Sequence, residues 1–360
     1  MSASLTVFIP QLIPPLALWR RDFGFVPESP IFSSLLINYQ VNNTGACGFA
    51  RSLFSATGFS ANKELPLAKY RVLSDSLMGS ISGKELHRSQ NTLLCADPVH
   101  CEAGMKDITL THRVNDLSDT ETKELLQLLN QHFAEDGLRF FAARKSDKPA
   151  SWYCQLPAKE SFNSAVLDEV VGENIFSFLP KSKHRNWLSL QNEVQMLLHS
   201  APLNQTREIA GQNSVNSLWF WGGGEVFKAA QPFDHIYARS SCSEAQMLAE
   251  VTGREITGLP EHAEKLLDII TSNAQSGNSQ YNAAMLLDQL IQPAQMNDLD
   301  SWQHDLNKLE EDFIKPLWIL QQQGKLGLSI DTCSGKKITP LQKPRWKFWK
   351  KSSVNLLDLA

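Results

Sequence analysis

The chain lacks any cysteine pair at metal-ligand or redox spacing. Its six cysteines, at 47, 95, 101, 154, 242 and 333, form no CxxC and no zinc pattern. At 360 residues the chain has no need of a disulfide framework either, so the thiols read as reduced and the protein as cytoplasmic. No stretch reaches the roughly 18 uninterrupted apolar residues of a membrane-spanning helix. The apolar run from Thr6 to Trp19 is broken by Pro10, Pro14 and Pro15, and its basic residues, Arg20 and Arg21, follow it, which is the wrong order for a signal peptide. Excess positive charge is missing too: the formal net charge is −4, which gives no general attraction to nucleic acid or to an anionic membrane. No complete catalytic signature is present.

What is there is an ordinary globular composition, 42% hydrophobic and 20% charged, enough for one large core or two smaller ones. The most informative stretch is Asn216-Ser217-Leu218-Trp219-Phe220-Trp221-Gly222-Gly223-Gly224. A short apolar strand running into three glycines lets backbone N–H groups approach an anion closely. The plain alternative is a buried strand followed by a tight turn. Upstream lie Asn204, Arg207 and Gly211: the asparagines cap or close loops, or touch a ligand, and Arg207 clamps a phosphate or carboxylate, or pairs with a nearby acid. Trp219 and Trp221 fall on one face of a strand, as core or as a binding platform.

Along the chain, short strands and helices alternate. Leu5–Ile9 reads as a first strand closed by Pro10, and Ser29-Pro30 opens a helix carrying Ile31, Leu35, Leu36 and Ile37. Residues 40 to 64 are small helices or a loop. Thr92–Ala96 and Ile108–His112 read as strands flanking a polar turn that contains Asp97, Pro98 and His100, a candidate acid, base or ligand. Ser118 with Glu121 predicts a capping box, with Leu125, Leu128, Leu129 and Phe133 as the apolar stripe of the helix that follows. Strands at Leu138–Ala142 and Trp152–Leu156, joined by a polar hairpin at 145 to 149, complete a unit of the size of a subdomain.

Further on, Phe162–His199 reads as helical and ended by Pro202, and Phe233–Ala238 as a strand. Ser243 with Gln246 suggests a second cap, Glu261–Ile270 a helix, and 284–291 a strand or helix. Asp300 reads as the cap of a long helix with Trp302, Leu306, Leu309 and Phe313 on one side and a kink at Pro316. Lys325–Ile330 and Lys337–Leu341 read as a hairpin around Ser334-Gly335. The alternation favours an α/β architecture. From Lys336 to Lys351 there are seven basic residues and no acid, interleaved with Trp346, Phe348 and Trp349. Such a tail contacts nucleic acid, an anionic lipid surface or an acidic partner, or tucks its aromatics onto the domain while the lysines stay solvated.

Asp97-Pro98-Val99-His100, Leu117-Ser118-Asp119, the run Leu129 to Phe140, Asn216 to Gly224 and Arg345-Trp346-Lys347-Phe348-Trp349, in this order, resemble the bacterial regulatory protein RpfE family, itself similar to the archaeal-type cofactor-independent phosphoglycerate mutases of the alkaline phosphatase superfamily. The resemblance implies an α/β fold: an alkaline-phosphatase-like core sheet flanked by helices, from residues 1–91 and 158–342, a small inserted α+β subdomain at 92–157, and a basic aromatic tail at 343–360. In the mutases an Asp-Pro segment opens the inserted domain, as Asp97-Pro98 does here. Their later Asn, Arg, Gly, Asn, Trp, Gly, Gly pattern is similar to Asn204, Arg207, Gly211, Asn216, Trp219, Gly222 and Gly224.

The chain departs from the mutases at the metals. Two divalent ions held by Asp, His and Glu, with a Ser or Thr nucleophile, are what in-line phosphoryl transfer uses in that superfamily. Here the first strand, Val7-Phe8-Ile9-Pro10-Gln11, ends without an Asp; Asp331-Thr332-Cys333-Ser334 has no histidine; and Asp234-His235 lies in a strand pattern that points the two side chains to opposite faces. The turn after His100 carries Cys101-Glu102-Ala103-Gly104 where the regulatory family commonly has an Arg and a second Asp. The expectation is a mutase-like regulatory protein without cofactor or metal site. Its small phosphorylated or carboxylated ligand is expected at Asn204, Arg207, Asn216, Trp219, Gly222, Gly223, Gly224, Asp97 and His100. A protein partner at the C-terminal tail is a further expectation. An active metal-dependent mutase and a plain interaction module acting through the tail are the alternatives.

Overall fold

The structure, a computed structural model, describes residues 2–60, 63–74, 76–77, 83–104, 107–144, 149–161, 163–182, 184–230, 233–260, 280–340 and 355–360. The chain divides into two compact units, Met1–Ala61 with Ala229–Ala360, and Asn62–Lys228. The described strands, in chain order, are β1 Ser2–Phe8, β2 Tyr39–Cys47, β3 Ser76–Leu77, β4 Leu93–Ala103, β5 Ile108–Arg113, β6 Arg139–Arg144, β7 Ser151–Gln155, β8 Ser217–Trp221, β9 His235–Tyr237, β10 Ile256–Thr257, β11 Gln280–Leu286, β12 Gly327–Asp331 and β13 Ser334–Pro340. None of the described helices is long and apolar enough to cross a membrane.

The first unit is built on a sheet of order β10-β9-β11-β1-β12-β13-β2, parallel from β10 to β12 and antiparallel over its last two strands. A parallel strand is covered on both faces, so it reads as a near-continuous apolar run, as Leu5 to Ile9 does with only Thr6 interrupting it. Leu5, Val7, Ala283, Met285, Leu328 and Ile330 enter one large core with Trp19, Phe32, Trp302 and Leu306. Phe8, on the other face of β1, meets Phe233 edge-on at 6.2 Å.

Several expectations change here. The stretch between 40 and 64 contains β2, the last strand of its sheet among the described residues, and a helix, Phe49–Ala56; an edge strand carries polar residues, as β2 does. Residues 280–286 form a strand. The cap before Trp302 is Asp298, whose carboxylate accepts from Ser301 N at 3.0 Å, and not Asp300, which lies inside the helix Leu299–Leu309. That helix passes through a π turn, Glu310–Ile314, into Lys315–Gln322, so Pro316 stands in the first turn of a helix, where its missing N–H is least costly. Cys242 and not Ser243 is the N-cap of the helix Ser243–Thr252. The proposed helix at 261–270, the hairpin residues 145–148 and Trp346, Phe348 and Trp349 lie outside the described residues. Leu356 and Leu359, beyond them, are buried in the first unit's core.

The second unit carries an antiparallel sheet of order β3-β6-β7-β4-β5, with β8 also paired to β4. It is wider than the 92–157 subdomain expected, because β8, well downstream of that segment, pairs with β4 over Cys95 to Val99. One sheet face, with Leu94, Ala96, Phe140, Trp152, Leu218 and Phe220, packs on the helices Asp119–His132 and Trp187–His199. Ser118 and Glu121 do form the capping box. The polar turn expected at Asp97 to His100 is instead the interior of β4. Pro98 is tolerated there because it falls between the residues that pair with β7 and those that pair with β5. Phe162–His199 is not one helix: two short 3-10 turns precede Trp187–His199, and Pro202 opens a new helix, Pro202–Ile209, at its first position.

Candidate functional site

The Trp-Gly segment lies in the second unit as expected for a strand and turn, with its partners now defined. Leu218 and Phe220 turn to the helical core, where Phe220 packs on Trp187 at 5.3 Å. Trp219 and Trp221 turn the other way: Trp219 Nε1 donates to Ala165 O at 3.0 Å and Trp221 Nε1 to Asp97 Oδ2 at 2.7 Å. Gly222 has a φ of 71°, which favours glycine. At Gly224 a Cβ would overlap the Glu64 carbonyl oxygen.

The amides of the glycine turn are already engaged. Gly222 N and Gly223 N donate to Glu64 Oε1 at 3.0 and 3.3 Å, and Gly224 N donates to Leu65 O at 3.0 Å. The same carboxylate accepts Ser164 N at 2.9 Å and Ser164 Oγ at 2.6 Å. An internal carboxylate thus occupies the anion cradle that the glycines form.

Asp97, fully buried, is the centre of a charge cluster. Arg71 reaches it with both terminal nitrogens, at 3.1 and 3.3 Å, and Arg113 Nη2 at 2.9 Å. Burial alone would push the Asp97 carboxyl up; Arg113, Arg71 and the Trp221 N–H outweigh it and hold it below the usual carboxylate range. The Arg71 guanidinium also lies 4.8 Å from the Tyr153 ring centroid and 5.5 Å from that of Trp221. Two guanidiniums on one carboxylate leave a unit of positive charge, which the rings and the Trp152 carbonyl help to hold.

The remaining candidates bond to the chain itself. Asn204 donates to Leu198 O and Val215 O at 2.7 and 2.8 Å and accepts from Val215 N at 2.8 Å. Arg207, 1% exposed, reaches Asn213 O at 2.9 Å, Glu121 at 2.8 Å and Asp116 at 2.6 Å, and so ties the capping box to the loop before β8. Asn216 brackets Cys101 with two 2.8 Å bonds beside a bulge in β4. His100 Nδ1 meets Ser214 O at 2.8 Å, and its ring stacks on His112 at 5.4 Å.

A polar cavity of about 350 Å³ opens beside the glycine turn, within the same unit. Gly223 and Gly224 line it, with Lys69, Ser89, Thr92, Lys159, Glu160 and Glu225. Lys69 Nζ donates to Ser89 O at 2.7 Å; burial lowers its pKa, Glu225 opposes this and Lys159 adds to it. Lys159 pairs with Glu225, whose carboxyl this pairing holds below its ordinary value. None of the lysines carries a motif. Only the glycines signalled this site from sequence, because the lysines come from separate segments and meet through tertiary folding.

In the first unit, the C-terminal ends of the parallel strands hold few acids. Asp331 is buried and accepts from Cys333 N at 2.9 Å; burial pushes its carboxyl up, with Lys337 opposing. Asp234 stands at the other end, just before β9, and accepts from Asn282 N at 2.9 Å; the His235 ring lies against Tyr237 and Tyr281. Among the described residues, no group of three or more His, Cys, Asp or Glu side chains is arranged to hold a metal ion. Burial raises the thiols of Cys101, Cys154 and Cys242, that of Cys101 to about 12.

Two sheets flanked by helices, one mostly parallel and one antiparallel with a polar cavity at its side, define a mixed α/β protein. Its similarity to cofactor-independent phosphoglycerate mutase is distant and partial. The chain is 25% identical over 163 residues to the 2,3-bisphosphoglycerate-independent phosphoglycerate mutase of Methanosarcina barkeri, covering 42% of this chain and 39% of that protein. It is 28% identical over 130 residues to the protein of the same name from Methanosarcina mazei, covering 34% and 30%. The matches thus span well under half the length of these relatives. No family model matches the chain. Among solved structures, the PH0037 protein from Pyrococcus horikoshii aligns at a TM-score of 0.46 and 10% identity, over 94% of this chain and 88% of that one. The cofactor-independent phosphoglycerate mutase from Thermoplasma acidophilum aligns at 0.37 and 10%, over 94% and 89%.

Proposed function

We propose that this protein is a phosphoglycerate-mutase-like binding protein that takes a small anionic ligand in the cavity beside Gly223 and Gly224, and acts by binding in a regulatory role of the kind the RpfE resemblance implies. The observation that carries this reading is the convergence of Lys69 and Lys159 on one cavity, with Lys69 9% exposed and its ammonium making one hydrogen bond among the described residues. An ammonium has three donors, so two remain to meet an anion. A partly desolvated cation gains more from an anionic partner than one in bulk water. Glu64 in the glycine turn makes the cradle itself self-sufficient, which moves the ligand from the amides to the lysines beside them.

The test is thermal unfolding of the full chain with inorganic phosphate. A saturable rise in Tm is expected for the native chain and its loss in Lys69→Met. No rise at millimolar phosphate sinks the reading.

The second reading is an active mutase, and what favours it is the 25% and 28% identity to the two Methanosarcina enzymes. It requires two equivalents of bound divalent metal and interconversion of 3- and 2-phosphoglycerate. Metal analysis of purified protein together with that assay decides between the two.

A further inference from the structure

His87 lines the cavity together with Lys69 and Lys159. It stands on the helix Gly83–Arg88, which packs on the helix Leu67–Ser74 that carries Lys69. Each residue holds the other's segment: His87 Nδ1 lies 3.0 Å from Lys69 O, and Lys69 Nζ donates to Ser89 O at 2.7 Å. The Tyr70 ring meets the imidazole edge-on at 5.4 Å, and its hydroxyl is itself fixed by donating to Phe227 O at 2.7 Å. These contacts hold the imidazole in one place on the wall that Lys69 also forms.

A carbonyl oxygen only accepts, so Nδ1 keeps its hydrogen whatever the charge of the ring, and Nε2 is the atom that gains or loses a proton. Nε2 has no hydrogen-bond partner among the described residues and, unlike Nε2 of His112, it is not sealed from solvent. The charged groups around the ring are otherwise engaged or of its own sign. Lys69 comes from the helix packed against it, while Lys84, Glu85 and Arg88 share its own helix. Across the cavity Lys159 is paired with Glu225, and Glu160 with Arg185.

We propose that the cavity takes up its anion together with a proton, carried on His87 Nε2. The imidazolium donates to a ligand oxygen alongside the ammonium groups of Lys69 and Lys159, and the ligand class this favours is a dianion such as a phosphate monoester. This rests on the anion-binding reading above and adds a proton to it, so that occupancy of the site follows pH. Imidazole suits the task because it is the side chain whose charge ordinarily changes between about pH 5 and 8. A neutral ring would turn a lone pair towards the ligand oxygen; a bound dianion favours the charged ring, so proton and anion enter together.

Calorimetric titration of the full chain with sodium sulfate tests this, because sulfate stays a dianion throughout that range and any pH dependence belongs to the protein. The native chain is expected to bind sulfate about tenfold tighter at about pH 5.5 than at about pH 8. In His87→Asn, whose amide can still donate to Lys69 O, the two affinities are expected to be equal and at the weaker level. Should that variant fail to fold, His87→Gln, a donor at every pH, is expected to bind equally at both. Equal binding at the two pH values by the native chain, or a pH preference that survives in the variant, overturns the proposal and leaves the anion reading standing. Refusal of sulfate where phosphate still raises Tm does the same. Failure of both anions to bind removes the anion reading and this one together.

Discussion

The two units bury acids in opposite ways. In the second, buried Asp97 is clasped by Arg71 and Arg113, and half-buried Glu121 accepts hydrogen bonds from Ser118 and from Arg207; both carboxyls lie below their ordinary range, because these contacts outweigh the effect of burial. In the first, Glu310 is 2% exposed with Phe32 N at 2.7 Å from its Oε1, and burial pushes its carboxyl up to about 7. Asp331 is shifted the same way, with Lys337 too weak an influence to reverse it. Burial alone raises a carboxyl; burial beside guanidinium lowers it. The lesson is that one chain can carry two folded units with opposing acid responses.

The largest effect is expected from Asp97→Asn. It leaves two guanidiniums in the interior with no carboxylate, and the second unit should lose about 3–5 kcal/mol. Hydrogen exchange read on peptides from Asn62–Lys228 should show the loss there and little change elsewhere. Undiminished protection would mean that the aromatic rings and carbonyls hold the arginines unaided.

Next comes the pH response of the first unit. A carboxyl whose folded pKa is raised leaves the folded state holding a proton that the unfolded chain has released. Its contribution is therefore complete below the ordinary value of about 4.5 and is lost as pH rises to about 7. The amplitude is at most about 3 kcal/mol. Glu310→Gln should flatten the pH dependence of the first unit across that window; an unchanged slope removes Glu310 as its origin. The second unit should respond in the opposite sense. Asp97 and Glu121 contribute above the ordinary carboxylate range, and that contribution is lost as pH falls below about 4.

Glu64→Ala should cost about 2 kcal/mol, since it strands the Gly222 and Gly223 amides. Urea unfolding measures it, and a change under 0.5 kcal/mol would show that water replaces the carboxylate. The smallest effect belongs to Glu225→Gln. Its pair with Lys159 is largely exposed, so stability should move by less than about 1 kcal/mol in the same experiment.

Local patterns made part of this readable from sequence. The Ser118–Glu121 box, the Trp302, Leu306, Leu309 stripe and the apolar first strand each follow from spacing within one segment. The edge strand Tyr39–Cys47 was hidden because its solvent-facing side removes the hydrophobic alternation that marks a strand. Asp97 was visible as a residue but not as a buried one. Its partners Arg71 and Arg113 flank it by 26 and 16 positions, and no local rule joins them. The glycine turn was legible as a close-approach backbone; the carboxylate that fills it, Glu64, lies 158 residues away. Lys69 and Lys159 carry no periodic or compositional mark at all. What stayed unreadable is tertiary: which charges meet.

The central claim, binding without turnover, is tested most directly by ³¹P NMR of 3-phosphoglycerate with the full chain and Mg²⁺. The account predicts a broadened 3-phosphoglycerate resonance that sharpens again in Lys69→Met, with no second signal growing in. A resonance of 2-phosphoglycerate accumulating with protein and metal would contradict it.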